Sequence, residues 1–196
     1  MDKRFLFVSA LVLVLMFFIS TSNYITWVAK SFILMFFIPT LFILFVKYNP
    51  EKIGFNVNKI KLSLFYTILI IIIALPFLFY FSTDTSFKNY YPIWKGQVNF
   101  LPAESLLFFS MLGVEFFFRG FLINTLTRYV NWKYAIVLQA ILYMLIHIGK
   151  PAPEVLLSLF AGLVFGYAAY KTKSIVAPLT SHYSIAIIFD LLTVHS

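Results

Sequence analysis

LSLFYTILIIIIALPFLFYFST, running from Leu62 to Thr83, contains no charged residue. About 20 consecutive apolar residues, rising 1.5 Å each, cross the roughly 30 Å hydrocarbon core of a bilayer. This stretch therefore reads as a membrane-crossing helix, and the pattern repeats on both sides of it. Residues 5–29, 31–46, 134–149, 155–170 and 174–189 are also free of charge, and between 105 and 127 the only charges are Glu115 and Arg119. Seven hydrophobic segments follow, at roughly 5–24, 30–46, 62–82, 103–127, 132–149, 153–171 and 174–194. The expected fold class is all-α: a polytopic membrane helical bundle of about seven transmembrane helices. No soluble block is large enough to fold separately, so 1–196 reads as a single integral membrane domain. Several uncharged cores are about 16 residues, or roughly 24 Å of helix, and must borrow from their flanks or sit in thinned bilayer.

Composition agrees. The 196 residues are 62% apolar and 11% charged, against about a quarter charged in a soluble domain. The net charge of +8 needs no nucleic acid, because basic loops at the cytoplasmic face of a membrane protein account for it. With the N-terminus cytoplasmic, the inner segments hold Lys3, Arg4, Lys47, Lys52, Lys59, Lys61, Arg128, Lys133, Lys171 and Lys173; the outer ones hold Lys30, Lys88, Lys95 and Lys150. That bias favours N-terminus in and C-terminus out. The absence of cysteine removes disulfides, thiolate nucleophiles and Cys-ligated metals.

The first segment follows Met1-Asp2-Lys3-Arg4 and has a weak small-residue site near Ser20-Thr21-Ser22. Its long apolar run favours an uncleaved span over a signal peptide. The 47–61 connector is basic and turn-rich. The longest connector, 83–102, carries Tyr90, Tyr91, Pro92 and Trp94, which suit anchoring at the headgroups. In the sixth segment Ala161, Gly162, Gly166, Ala168 and Ala169 form a small-residue face on which another backbone can pack closely.

Ionisable groups inside spans are costly and mark function by default. Here they are Glu115, Arg119, His147, His182 and Asp190. Glu115 and Arg119, four apart with the acid first, suit an ion pair on one helical face. Gly113 and Gly120 leave room beside them for a neighbouring helix or a substrate chain. His147 closes the fifth segment before Ile-Gly-Lys-Pro. His182 and Asp190 are eight residues apart, near one face and about 12 Å apart along the axis. Two chemistries fit: a divalent metal held by imidazole and carboxylate, or a metal-free site in which carboxylate and imidazole deprotonate water and a second imidazole stabilises the oxyanion. Spacing does not separate them, and no His-Glu-x-x-His zinc signature occurs. Depth adds a tension. Glu115 and His182 fall near the midplane, His147 and Asp190 nearer the outer face. Either the boundaries are displaced by a few residues, or the site is a slanted cavity lined at two levels.

The run Gly113-Val-Glu115-Phe-Phe-Phe-Arg119-Gly-Phe-Leu122 resembles the first motif of the CAAX-processing and bacteriocin-processing (CPBP) intramembrane protease family: two Glu, then Arg and usually Gly. Tyr143-Met-Leu-Ile-His147 resembles its second motif. Residues 159–175 are similar to its glycine-rich helix and following turn, and His182 occupies the place of the third-motif His. The likeness covers about 105–194, a CPBP-like protease core within the single domain. It implies a glutamic-type endopeptidase in a bacterial cytoplasmic membrane, acting on a membrane-embedded or lipid-associated peptide or protein substrate. In that reading Glu115 and His147 activate water, His182 holds the oxyanion, Arg119 pairs with Glu115 or positions substrate, and no cofactor is required, although zinc remains compatible with the donors. Two positions depart from the family pattern. Val114 stands where the first Glu is expected, and Ala186 where an Asn is expected four residues after the last His. Asp190 is one turn further on and can orient a histidine. The alternatives are a catalytically inactive relative that binds a membrane partner, and a proton-linked transporter.

Overall fold

The computed structural model describes residues 3–49, 53–91 and 99–195; Lys52, Pro92, Trp94 and Lys95 lie outside them. Eight helices follow in chain order: α1 (Arg4–Phe18), α2 (Tyr24–Phe45), α3 (Ile60–Ser82), α4 (Thr85–Tyr90), α5 (Phe100–Leu126), α6 (Trp132–Leu145), α7 (Ala152–Thr172) and α8 (Val176–His195). All seven expected segments are helical. Five of them, α2, α3, α5, α7 and α8, are long and apolar enough to cross a membrane, whereas α1 and α6 have 15 and 14 residues. The chain is an all-α membrane bundle in which five of the seven segments reach crossing length and the first and fifth are shorter. The difference lies in how the first and fifth uncharged runs stop: α1 ends at Phe18 in extended backbone, and α6 ends two residues before His147, in the turn that Gly149 completes at φ +101°.

α5 is the central helix. Of its most apolar stretch 78% is buried, against 22–33% in the other four spans. That difference follows from sequence, since α5 alone carries an acid and a base at mid-span, and hydrocarbon would solvate neither. Its middle, Phe116–Leu122, widens into a π-helical turn in which every residue is buried. Phe116, Phe117, Phe118 and Phe121 pack there with Phe5, Val12, Met35, Val114 and Tyr143 as the main core.

Small residues bring the partners in. A Cβ on Gly113 would stand 2.9 Å from the Ser31 carbonyl oxygen of α2, and one on Gly120 would strike the Ile53 carbonyl oxygen. The room expected beside the Glu115–Arg119 pair is thus filled by this chain's own backbone. Gly162 of α7 lies against Ala140 of α6, where a Cβ would meet its Cα at 2.8 Å. Gln139 crosses the same seam, its Nε2 donating to the Gly162 carbonyl at 2.6 Å. The small-residue face of the sixth segment is therefore the α6–α7 seam.

The bundle has two distinct ends. At one, the segments around Phe55 and Ser174 pair as an antiparallel bridge, Lys59 Nζ donates to the Lys171 carbonyl at 3.1 Å, and Arg128 lies over the rings of Phe5 and Tyr48. This is the basic end. At the other, Lys30 Nζ caps the carbonyls of Met16 and Ile19, and the Tyr24 hydroxyl donates to the Ala103 carbonyl. The connector that sequence left as a loop contains α4 here, capped by Asp84, whose Oδ1 accepts from the Ser86 amide at 2.7 Å. That is a short N-capped helix of the kind a six-residue polar stretch does not announce.

Candidate active site

Glu115 reaches the site through the last α-helical turn before the π-turn. Its Oε2 faces Arg119 Nε at 3.2 Å, and both side chains are fully buried. The expected pair on one helical face is present. Its other oxygen does something that spacing alone did not indicate: Oε1 lies 2.6 Å from His182 Nδ1 on α8. The Arg119 guanidinium, 4.0 Å above the Tyr143 ring and 5.3 Å from that of Phe165, is boxed by aromatic faces.

The two histidines are held by different partners. His182 gives Nδ1 to Glu115, and its Nε2 lies 3.4 Å from the Tyr143 hydroxyl. His147, two residues beyond α6, turns back so that its Nδ1 bonds the Tyr143 carbonyl oxygen at 2.8 Å. A carbonyl only accepts, so that Nδ1 carries the proton, and the basic nitrogen of a neutral His147 is Nε2. The rings of Tyr143 and His147 stand edge to face, 4.5 Å between centroids. Tyr143 thus touches both imidazoles, one through its hydroxyl and one through its carbonyl.

A mostly apolar cavity of about 660 Å³ opens onto these groups. His147, His182, Tyr143 and Asp190 line it, and Glu115 does not. Glu115 lies behind His182, reaching the cavity only through that ring. His182 is at the deep end, while His147 and Asp190 stand higher, beside Tyr91, Lys150 and Glu154. The depth tension in the sequence is answered by a cavity lined at two levels.

Val114 is packed in the main core, and Ala186 lines the cavity. The two departures from the family pattern therefore differ in place: one faces packing, the other the reaction space. Among the described residues no three His, Asp or Glu side chains are grouped tightly enough to hold a metal ion.

Several cavity residues were not singled out from sequence. Tyr143 was read only as the aromatic partner of a motif, yet its hydroxyl faces His182. Glu154 bonds Lys150 at 2.7 Å and accepts from the Tyr91 hydroxyl at 2.6 Å. The signal was present, since Lys150 and Glu154 are four apart directly after the motif that ends at His147. Tyr91 has no comparable local signal, because its partner is 63 residues away. Burial, then the charge of Glu154, holds the Tyr91 phenol well above its usual range, so it stays a donor.

Residues 97–188 match the family model described as Rce1-like, type II CAAX prenyl endopeptidase Rce1-like. No curated protein and no solved structure matches the chain.

Proposed function

We propose, from the match of residues 97–188 to the Rce1-like family model, that this chain hydrolyses a peptide bond of a membrane-associated substrate with a Glu115–His182 pair as its base. The supporting observation is the 2.6 Å contact between Glu115 Oε1 and His182 Nδ1, with Nε2 of the same ring on the cavity side. A buried carboxylate on one imidazole nitrogen orients the ring, leaves the other nitrogen basic and stabilises the imidazolium once formed. Glu115 thereby acts through His182, a positioning role in place of direct contact with water.

The steps balance as an ordinary hydrolysis. Water gives a proton to His182 Nε2 while its oxygen bonds the peptide carbonyl carbon. The oxyanion is met by the Tyr143 hydroxyl. The His182 imidazolium then protonates the leaving nitrogen as the C–N bond breaks, and His147, basic at Nε2, accepts a hydrogen bond from the substrate or water. Arg119 balances the Glu115 charge, so the buried site is neutral before proton transfer. Asp190 stands on the upper cavity wall, and its role is to hold substrate backbone or His147. This site needs no metal: treatment of the purified protein with a zinc chelator is expected to leave cleavage unchanged, and loss of activity restored by zinc would replace this mechanism.

The decisive experiment compares membrane peptides from cells making the natural protein with those from cells making Glu115→Gln. The substitution is expected to lower turnover about 10³–10⁴-fold, the scale of losing a base's orienting carboxylate, while the protein still inserts and stays monodisperse. His182→Ala is expected to match it. Identical peptide profiles from natural and Glu115→Gln cells would establish instead an inactive relative that binds a membrane partner.

A further inference from the structure

We propose that the basic end of the bundle is a binding site for the phosphate headgroup of an anionic membrane lipid, formed by Lys59, Lys133, Lys171 and Lys173 around the stacked rings of Trp132 and Tyr170. None of these six residues lines the cavity, and the site is independent of the protease reading. Three helix ends meet there: the starts of α3 and α6 and the end of α7. Backbone contacts fasten the segments that lead in and out. Phe55 and Ser174 pair as an antiparallel bridge, and the Ile175 amide donates to the Gly54 carbonyl at 3.0 Å. Lys59 Nζ then reaches across to the Lys171 carbonyl.

Aromatic rings place the other cations. Trp132 stacks on Tyr170, 4.7 Å between centroids and 9° between planes. Lys173 Nζ stands 3.9 Å from the centre of the Tyr170 ring, Lys171 Nζ 5.4 Å from that of Tyr167 and Lys133 Nζ 5.7 Å from that of Trp132. Each of these three ammonium groups has a ring face, and none has a carboxylate. Among the described residues the ion pairs are Arg119–Glu115, Lys150–Glu154 and His182–Glu115. Glu154, the one acid of α7, is in its first turn, at the opposite end.

The cluster therefore carries an unbalanced positive charge. Burial, then the nearby Lys59, holds the Lys173 ammonium below its usual value. α3 and α6 both begin here with no acid in the first turn, where the helix dipole favours negative charge. Lys173 has left-handed backbone, φ +59°, in a place that ordinarily falls to glycine at the end of a helix; the residue that takes it here brings a cation. A phosphate among the four lysines relieves all of this at once.

The rings and their surroundings set the class of ligand. Trp and Tyr side chains sit at the headgroup level of a bilayer. The row Tyr66, Tyr167, Trp132 runs from α3 across α7 to α6, with 6.2 and 6.4 Å between successive centroids. Toward mid-span the same three helices expose apolar side chains, Ile72, Val164 and Leu138 among them. A free anion would use only the lysines. A lipid uses the lysines with its phosphate and the apolar surface with its chains.

Full-length protein in neutral-detergent micelles is titrated with dansyl-labelled phosphatidylglycerol, read by energy transfer from tryptophan, and in parallel with dansyl-labelled phosphatidylcholine. Each lysine beside an anionic headgroup favours binding about fivefold, so Lys133→Gln with Lys173→Gln is expected to weaken phosphatidylglycerol binding at least about tenfold and leave phosphatidylcholine binding unchanged. Lys133→Arg with Lys173→Arg keeps both charges and is expected to retain the natural affinity. Lys47→Gln with Lys88→Gln, two lysines outside the cluster, is expected to retain it too. Equal affinity of the natural protein for the two lipids overturns the site. Natural affinity in the Lys133–Lys173 glutamine variant overturns it, as does an equal loss in the arginine variant or in the Lys47–Lys88 variant. Excess inorganic phosphate at constant ionic strength is expected to leave the lipid bound; displacement assigns the lysines to a free anion and overturns the lipid. If the glutamine variant does not stay monodisperse, added salt decides on the natural protein: it is expected to weaken phosphatidylglycerol binding alone, and an equal response of both lipids overturns the proposal.

Discussion

Glu115 has two neighbours and needs both. Arg119 balances its charge from the same helix, and His182 takes its other oxygen from α8. Removing one member of a buried ion pair leaves the other uncompensated, at a cost of about 3–5 kcal/mol. Arg119→Leu is therefore expected to lower the thermal stability of the detergent-purified protein strongly. Adding Glu115→Gln to it is expected to restore most of that loss, because no buried charge remains. An unaltered unfolding temperature in the single variant would show that the pair contributes nothing. Val114 makes the opposite point. It resembles the site of a missing catalytic acid, but it packs in the main core away from the cavity. A carboxylate there replaces an apolar side chain among apolar neighbours, so Val114→Glu is expected to destabilise the protein without raising cleavage. The unfolding temperature and the peptide yield measured on one preparation check both halves of that statement.

Helix-to-helix geometry decides which of these residues meet. The α6–α7 seam closes over Gly162, and Gln139 bridges it. Gly162→Leu inserts a side chain where even a Cβ meets Ala140 at 2.8 Å. Overpacking of this kind costs about 1–3 kcal/mol or more. Because α6 delivers both Tyr143 and His147, the same change is expected to reduce cleavage more than stability. The connector before α5 is a second case. Its aromatic residues suit headgroup anchoring in sequence, yet Tyr91 bonds Glu154 over the cavity. Tyr91→Phe loses a hydrogen bond to a charged acceptor, worth about 1.5–3 kcal/mol. The folded protein holds the Tyr91 proton more tightly than the unfolded chain does. Its contribution is thus fully present below the unfolded tyrosine value of 10.0 and fades as pH rises beyond it. An unfolding temperature recorded from pH 8 to 11 is expected to fall more steeply for the natural protein than for Tyr91→Phe.

At the scale of the whole bundle, His147, His182 and Asp190 line one cavity, and Glu115 with its partner Arg119 lies behind His182. Glu115 and His182 sit at the deep end of the cavity, and His147 and Asp190 stand higher on its wall. The helical segments were legible because a bilayer demands long uncharged runs, and such runs show in a linear chain. Helix lengths were less so, since α1 and α6 stop short in ways set by turns and packing. The polar groups at membrane depth stood out for the same energetic reason: an ionisable side chain there is costly. Glu154 gave no such signal, and Tyr91 read only as a headgroup anchor, because at a span end polar groups are inexpensive.

Sequence by itself determined that this chain is a membrane helical bundle and singled out the few polar groups at membrane depth, because the cost of charge in hydrocarbon acts on each residue singly. Only the tertiary structure decided that His182 meets the Glu115 carboxylate, that Tyr143 joins the two imidazoles, and that a cavity opens onto both of them. Those outcomes depend on contacts between helices as much as 67 residues apart, whose crossings are set by glycine seams and aromatic packing that no local pattern specifies.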